Sequence, residues 1–213
     1  MSDFIYRFIP GKGEQTLLLL HGTGGNEADL LPLGFAIAPD ASLLSPRGRV
    51  LENGAPRFFR RVAEGVFDEE DVIERANELA EFASSAARKY DFDLNGLIMV
   101  GYSNGANIAS AMMLLGALKA HGAILFRPMV PLAHPPPQSL GGCEVLISGG
   151  RFDPIATPDQ VNALADLLRE RQAQVDVRMQ ESGHQLTDAD VVSAKDWLFS
   201  GRSKSVPGLL PVA

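Results

Sequence analysis

Apolar residues in this chain fall in short unbroken runs separated by longer amphipathic stretches. Leu17-Leu18-Leu19-Leu20 stops at His21-Gly22, and Leu43-Leu44 sits in a weaker run that ends at Pro46. Leu97-Ile98-Met99-Val100 stops at Gly101, and Ala123-Ile124-Leu125-Phe126 and Val145-Leu146-Ile147 follow. Runs of this length bounded by Gly and Pro predict strands covered on both faces, as in a parallel sheet. Val175, Val177 and Met179 alternate instead with Asp176, Arg178 and Gln180. That strand is expected near a sheet edge with one wet face. Residues 3–9 predict an antiparallel strand at the start.

Helical patterns lie between the runs. Asp68 can cap a helix whose first turn carries Glu69, Glu70 and Asp71, which suits the positive end of its dipole. Val72, Ile73, Ala76, Leu79, Ala80, Ala83 and Ala87 then form its apolar stripe. Residues 105–118 are apolar nearly all round, which predicts a buried helix. Thr157-Pro158-Asp159-Gln160 reads as a capping box with Pro at the first helical position, ahead of Val161, Leu164, Ala165 and Leu168. Thr187 opens a last helix with Val191, Ala194, Trp197 and Leu198 inside. This order predicts a doubly wound, mainly parallel α/β sheet flanked by helices, with right-handed crossovers. Residues 1–200 are expected to form one domain, and residues 201–213, rich in Gly, Pro and Ser, a loose tail.

Composition narrows the function. With 46% apolar and 21% charged residues over 213 positions, the chain can bury a core, and disorder as its dominant state is disfavoured. A net charge of −7 disfavours a nucleic-acid partner held through phosphates. The single cysteine excludes an intramolecular disulfide and speaks against a Cys-rich metal site. No apolar stretch approaches a membrane span, and Met1-Ser2-Asp3-Phe4 lacks a basic region followed by an apolar one, so no signal peptide is expected. The expectation is a cytoplasmic protein without stable membrane anchoring.

In a doubly wound sheet, ligands gather at the carboxyl ends of the strands. There the third buried run gives way to Gly101-Tyr102-Ser103-Asn104-Gly105 and then to the buried helix. This is G-x-S-x-G in the strand–turn–helix setting that makes it a nucleophile elbow. Ser103 must take strained dihedrals in so sharp a turn, and glycines two positions away remove the collisions. The competing reading is a strand-to-helix loop with Gly for packing; the buried elements on both sides favour the elbow. A serine hydroxyl needs an adjacent base. Of the four histidines, His21 is read as shaping its loop, His121 as solvated, and His134 as part of a rigid Pro-rich segment. His184, on a late loop after the alternating strand, is the candidate base. Asp153, which follows the strand at 145–147 and is kept extended by Pro154, is the candidate acid. Asp159 and Glu181 are its rivals. No carboxylate follows the strand at 123–126, where Arg127-Pro128-Met129 stands.

An oxyanion needs preorganised donors. The N–H of Asn104 is one, and the loop His21-Gly22-Thr23-Gly24-Gly25 is expected to supply the other from Thr23. A nucleotide loop is the alternative there, but G-x-G-x-x-G would need glycine where Glu27 stands.

Taken together, H-G-x-G-G at 21–25, Gly-Tyr-Ser-Asn-Gly at 101–105, Asp153-Pro154 and Gly183-His184 resemble the α/β-hydrolase superfamily. The size and the lack of a large cap insertion resemble its phospholipase/carboxylesterase branch, which includes acyl-protein thioesterase-like enzymes. The resemblance runs from about residue 14 to 199. It implies esterase or thioesterase activity without metal or organic cofactor, with Ser103 as nucleophile, His184 as base, Asp153 as acid, and Thr23 and Asn104 as the oxyanion hole. The commoner branch pattern has Leu and Gln where Thr23 and Asn104 stand, which weakens any transfer of substrate identity. Dienelactone hydrolases are relatives with a Cys nucleophile, but Cys143 lies before a strand and is read as a packed residue.

Substrate contacts are weakly encoded. Phe58 and Phe59, within Pro56-Arg57-Phe58-Phe59-Arg60-Arg61, are candidates to line an acyl pocket. The other reading is a loop that anchors itself by Phe and exposes Arg. Met129 and Val130 are candidates for the same pocket. Small or slender esters are expected, and the half-polar strand 174–180 is the candidate surface for a homodimer. A non-catalytic receptor on this fold would be expected to lack one of the three reactive side chains.

Overall fold

A computed structural model describes residues 4–204. In chain order the elements are β1 Tyr6–Ile9, β2 Thr16–Leu20, α1 Leu31–Ile37, β3 Ser42–Pro46, β4 Val50–Glu52, β5 Ala55–Arg57, β6 Arg61–Ala63 and β7 Val66–Phe67. These are followed by α2 Glu69–Tyr90, β8 Ile98–Tyr102, α3 Asn104–Leu114, β9 Gly122–Phe126, β10 Glu144–Gly150, α4 Pro158–Glu170, β11 Gln174–Gln180 and α5 Asp188–Lys204. One seven-stranded sheet runs β1-β3-β2-β8-β9-β10-β11. Within this sheet β1 is antiparallel to β3, and the other described pairings are parallel. β11 takes an edge, where its alternating pattern belongs.

The apolar runs are continuous because successive side chains point to opposite faces and both faces are covered. Leu18, Leu20, Met99, Leu125 and Ile147 pack with α2, α3 and α4 in one cluster. Leu17, Leu19, Ile98, Val100, Ile124 and Leu146 pack with α1 and α5 in the other. Pairing of Leu17 with Ile98 and of Leu20 with Gly101 sets the carboxyl ends of β2 and β8 side by side. The two loops that leave them therefore meet.

Helix boundaries follow local chemistry. The Asp68 side chain accepts the N–H of Asp71, and Thr157 accepts that of Gln160, each cap contributing about 1 kcal/mol. α3 is buried along its whole length, as its composition requires. It stops at Leu114 and not at 118, because Gly116 turns the chain at φ +63°. Ile73 departs from its expected place: it lies about 100° round α2 from Val72 and is exposed. α5 continues to Lys204, past the boundary expected at 200; residues 205–213 of the expected tail lie outside the described residues. The first strand is shorter than 3–9, and residues 1–3 likewise lie outside. α1 and the hairpins β4–β5 and β6–β7 carry no clear periodic signal in the sequence. Among the described residues no helix is long and apolar enough to cross a membrane.

Candidate active site

Ser103 joins β8 to α3 with φ 52° and ψ −113°, outside the regions an L-residue ordinarily occupies. Its N–H is held by the Phe126 carbonyl at 2.9 Å, and its own carbonyl accepts the Asn107 N–H. The flanking glycines are required by contact. A Cβ at Gly101 would meet the Gly105 carbonyl oxygen at 2.5 Å, and one at Gly105 would overlap the Leu20 carbonyl. Strain of this kind costs on the order of 1–3 kcal/mol and persists because the buried elements on both sides fix the turn.

His184 reaches Ser103 from the loop between β11 and α5. Its Nε2 lies 2.9 Å from Ser103 Oγ, and its Nδ1 lies 2.8 Å from Asp153 Oδ2. Asp153, buried just beyond β10, accepts the N–H groups of Ile155 (2.8 Å) and Ala156 (3.0 Å) on its other oxygen. The carboxylate is thus oriented by backbone donors and leaves one oxygen for the imidazole. Gly150 lets the two loops close together, since a Cβ there would overlap the Gly183 carbonyl. Tyr102 donates its hydroxyl to the His184 carbonyl at 3.1 Å.

The rival acids lie elsewhere. Asp159 is exposed in the first turn of α4, and Glu181 pairs with Arg151 on the surface at 2.6 Å. His121 and His134 are exposed. His21 is buried: its Nε2 accepts the Gly48 N–H at 2.9 Å, so Nδ1 carries the proton and donates to the Gly22 carbonyl at 2.6 Å. Burial lowers its pKa below the ordinary 6.5 and keeps the ring neutral. It shapes the glycine loop, as its sequence context suggests. Burial pushes the Cys143 thiol up to about 11, with the Glu144 charge adding to it.

The glycine loop is braced from below. Gly24 donates to the Pro56 carbonyl and Gly25 to that of Gly22. Buried Arg57 donates from Nη1 to Thr23 Oγ1 at 2.8 Å and from Nε to the Phe59 carbonyl, and it pairs with Glu52 at 3.2 Å. Burial still lowers the Arg57 pKa, against the Glu52 charge. Arg60 is exposed as the loop reading expects, whereas Arg57 is not.

The expected pocket residues divide. Phe58 is 3% exposed and Phe59 is fully buried. Phe58 packs on the His21 ring, and Phe59 meets Phe67 edge-on. They anchor the wall from inside and offer no face to a substrate, because burying two adjacent aromatic rings is worth more than exposing them to a cleft. Met129 is nearly buried, near Gly65 of the β6–β7 turn, and Val130 is half-buried. α3 holds both segments. The Asn104 side-chain oxygen accepts the Phe58 N–H at 2.7 Å, and that of Asn107 accepts the Met129 N–H at 2.8 Å. Sequence reasoning misses the bracing role of Asn107. Its signal is a polar amide three residues after Asn104 on a mostly apolar helix whose other polar side chain is Ser110. Arg57 carries no such signal.

No family model matches the chain. It is 47% identical over 187 residues to the Bacillus subtilis (strain 168) protein named "Putative hydrolase MhqD", covering 88% of this chain and 94% of that one. A solved carboxylesterase of Bacillus cereus superposes with a TM-score of 0.91 at 47% identity, covering 93% of this chain and 95% of that one. A carboxylesterase of Mesorhizobium loti superposes with a TM-score of 0.89 at 36% identity, covering 93% and 97%. The elbow, the strand order and these relatives agree: the chain belongs to the α/β-hydrolase superfamily, in its phospholipase/carboxylesterase branch.

Proposed function

We propose that this esterase-type hydrolase cleaves small carboxylic esters through an acyl-serine intermediate. Ser103 attacks the ester carbonyl while His184 Nε2 takes its proton, and Asp153 holds the imidazole in the required tautomer and stabilises the imidazolium. His184 then protonates the leaving alcohol. Water, deprotonated by the same imidazole, releases the acid and restores Ser103. The observation that carries this reading is the hydrogen-bonded chain from Ser103 Oγ through His184 to Asp153, at 2.9 and 2.8 Å.

The N–H groups of Thr23 and Asn104 receive the oxyanion. Neither has a hydrogen-bond partner among the described residues, whereas Gly24 and Gly25 are engaged within the loop. Asn104 stands at the first helical position, where an N–H has no intrahelical acceptor. Each such donor is worth on the order of 3 kcal/mol to the transition state. The segment between β3 and α2 consists of two short hairpins in place of a helical cap. With Phe58 and Phe59 withdrawn into the core, slender acyl groups fit this reading better than bulky lipids.

A panel of p-nitrophenyl esters of rising chain length tests it. Acetyl and butyryl esters are expected to turn over faster than long-chain ones, and Ser103→Ala to lose at least about 10⁴-fold in kcat. Full ester hydrolysis by Ser103→Ala would refute the assignment of Ser103.

A further inference from the structure

After β9, where a hydrolase could carry its acid one strand earlier, this chain has Arg127. The side chain is fully buried, and its backbone is left-handed at φ +53°. Six acceptor atoms lie within hydrogen-bond distance of its five N–H groups, so one N–H of Nη2 is shared. Nε donates to the Gly183 carbonyl at 3.0 Å and Nη2 to the Gln185 carbonyl at 2.9 Å, so the carbonyls on either side of His184 rest on one rigid plane. Nη2 also reaches Ser182 Oγ, and Nη1 reaches the Ser148 carbonyl. Nη1 and Nη2 grip the two oxygens of buried Asp190, each at 2.8 Å. Asp190 in turn accepts the Ser148 hydroxyl and both the N–H and the hydroxyl of Thr187, at the start of α5.

A buried ion pair is a poor way to gain stability, since desolvation offsets most of its attraction and apolar residues of similar volume do as well. It is a good way to fix geometry: a planar fork defines the positions of several acceptors at once. Here every acceptor lies on an element that frames His184: β10, the loop 182–185, or the first turn of α5. The imidazole itself is not among the contacts. Ser103 attack needs Nε2 within hydrogen-bond reach, and a displacement of about 1 Å in such a group can cost on the order of 100-fold in rate.

Resting on the serine-hydrolase reading above, we infer that Arg127, paired with Asp190, is a positioning residue that sets the His184 loop so that Nε2 meets Ser103. Arg127 touches no reacting atom. Its removal therefore lowers the chemical step and leaves substrate binding alone.

The test compares wild type, Arg127→Met/Asp190→Asn and Arg127→Lys. The double variant removes the charge pair without leaving a lone buried charge. Arg127→Lys keeps a cation beside Asp190 but cannot span the carbonyls of Gly183 and Gln185. Each is measured for its thermal transition, for kcat and KM on p-nitrophenyl acetate, and for the rate of labelling by a fluorophosphonate. Cooperative folding, KM within twofold of wild type, and kcat and labelling rate both reduced tenfold or more are expected in each variant. A folded variant with kcat within twofold of wild type overturns the inference. Should the double variant not fold, Arg127→Lys decides alone, since a role limited to holding the ion pair would leave its kcat unchanged. Failure of the underlying reading looks different: wild-type enzyme would then not be labelled at Ser103 at all.

Discussion

The two ends of the central sheet both carry a histidine on a loop, yet the surroundings of the two rings differ. At the amino ends, a cavity of about 570 Å³ opens among Met113, Leu118, His121, Gln138 and Cys143. His121 there is exposed, and the nearby Cys143 thiol is held protonated by burial. At the carboxyl ends, both ring nitrogens of His184 are engaged, by Ser103 and by a carboxylate whose other oxygen is saturated by backbone N–H groups. The Ser103 hydroxyl, the His184 imidazole and the Asp153 carboxylate converge at the carboxyl ends, and the proposed mechanism rests on that convergence.

The carboxyl end is expected to be most sensitive at Asp153. Asp153→Asn is expected to lower kcat by about 10⁴-fold, because an amide at that position favours the wrong imidazole tautomer. Asp159→Asn and Glu181→Gln should stay within about twofold in the same assay, as surface carboxylates away from the imidazole. A smaller effect is expected at Asn107→Ala. It leaves the Met129 N–H buried without an acceptor, which should cost about 1–3 kcal/mol in a urea melt and raise KM as the segment at 129–130 shifts.

The carboxyl end also holds His21, whose burial ties stability to pH. Its folded pKa lies below 6.5 because burial disfavours the charged ring. The unfolded chain therefore binds a proton near pH 6.5 that the folded chain refuses. The stability tied to His21 is fully present above that pH and is lost as pH falls from about 6.5 toward the lower folded value. Urea melts between pH 7.5 and 5 should show this slope, and His21→Gln should reduce it. The smallest effect belongs to the amino end: His121→Ala is expected to leave kcat/KM within about twofold.

Much of this was legible in the sequence where one physical cause governs several residues. A strand buried on both faces must be apolar throughout, so β2, β8, β9 and β10 announced themselves. The elbow was legible because Gly101 and Gly105 answer steric contacts that admit no other residue. Ser103, Asp153 and His184 stood at strand exits, and the structure brings their side chains together. The hairpins at 50–67 were illegible because their strands are two or three residues long and mostly half-exposed, too short for any period to show. The inward turn of Phe58 and Phe59 depends on the distant His21 ring and the Asn104 amide. Arg127 gave no sign of its partner because Asp190 lies 63 residues further on, in what reads as an ordinary acidic first turn.

The central claim is that Ser103 is activated by His184 and Asp153 and forms the covalent intermediate. Peptide mass mapping after reaction with a fluorophosphonate tests it most directly. The expected result is one adduct per chain, on the peptide that contains Ser103, absent from Ser103→Ala and strongly slowed in Asp153→Asn. An active enzyme whose adduct falls on another residue, or a Ser103→Ala protein labelled as fast as wild type, would contradict it.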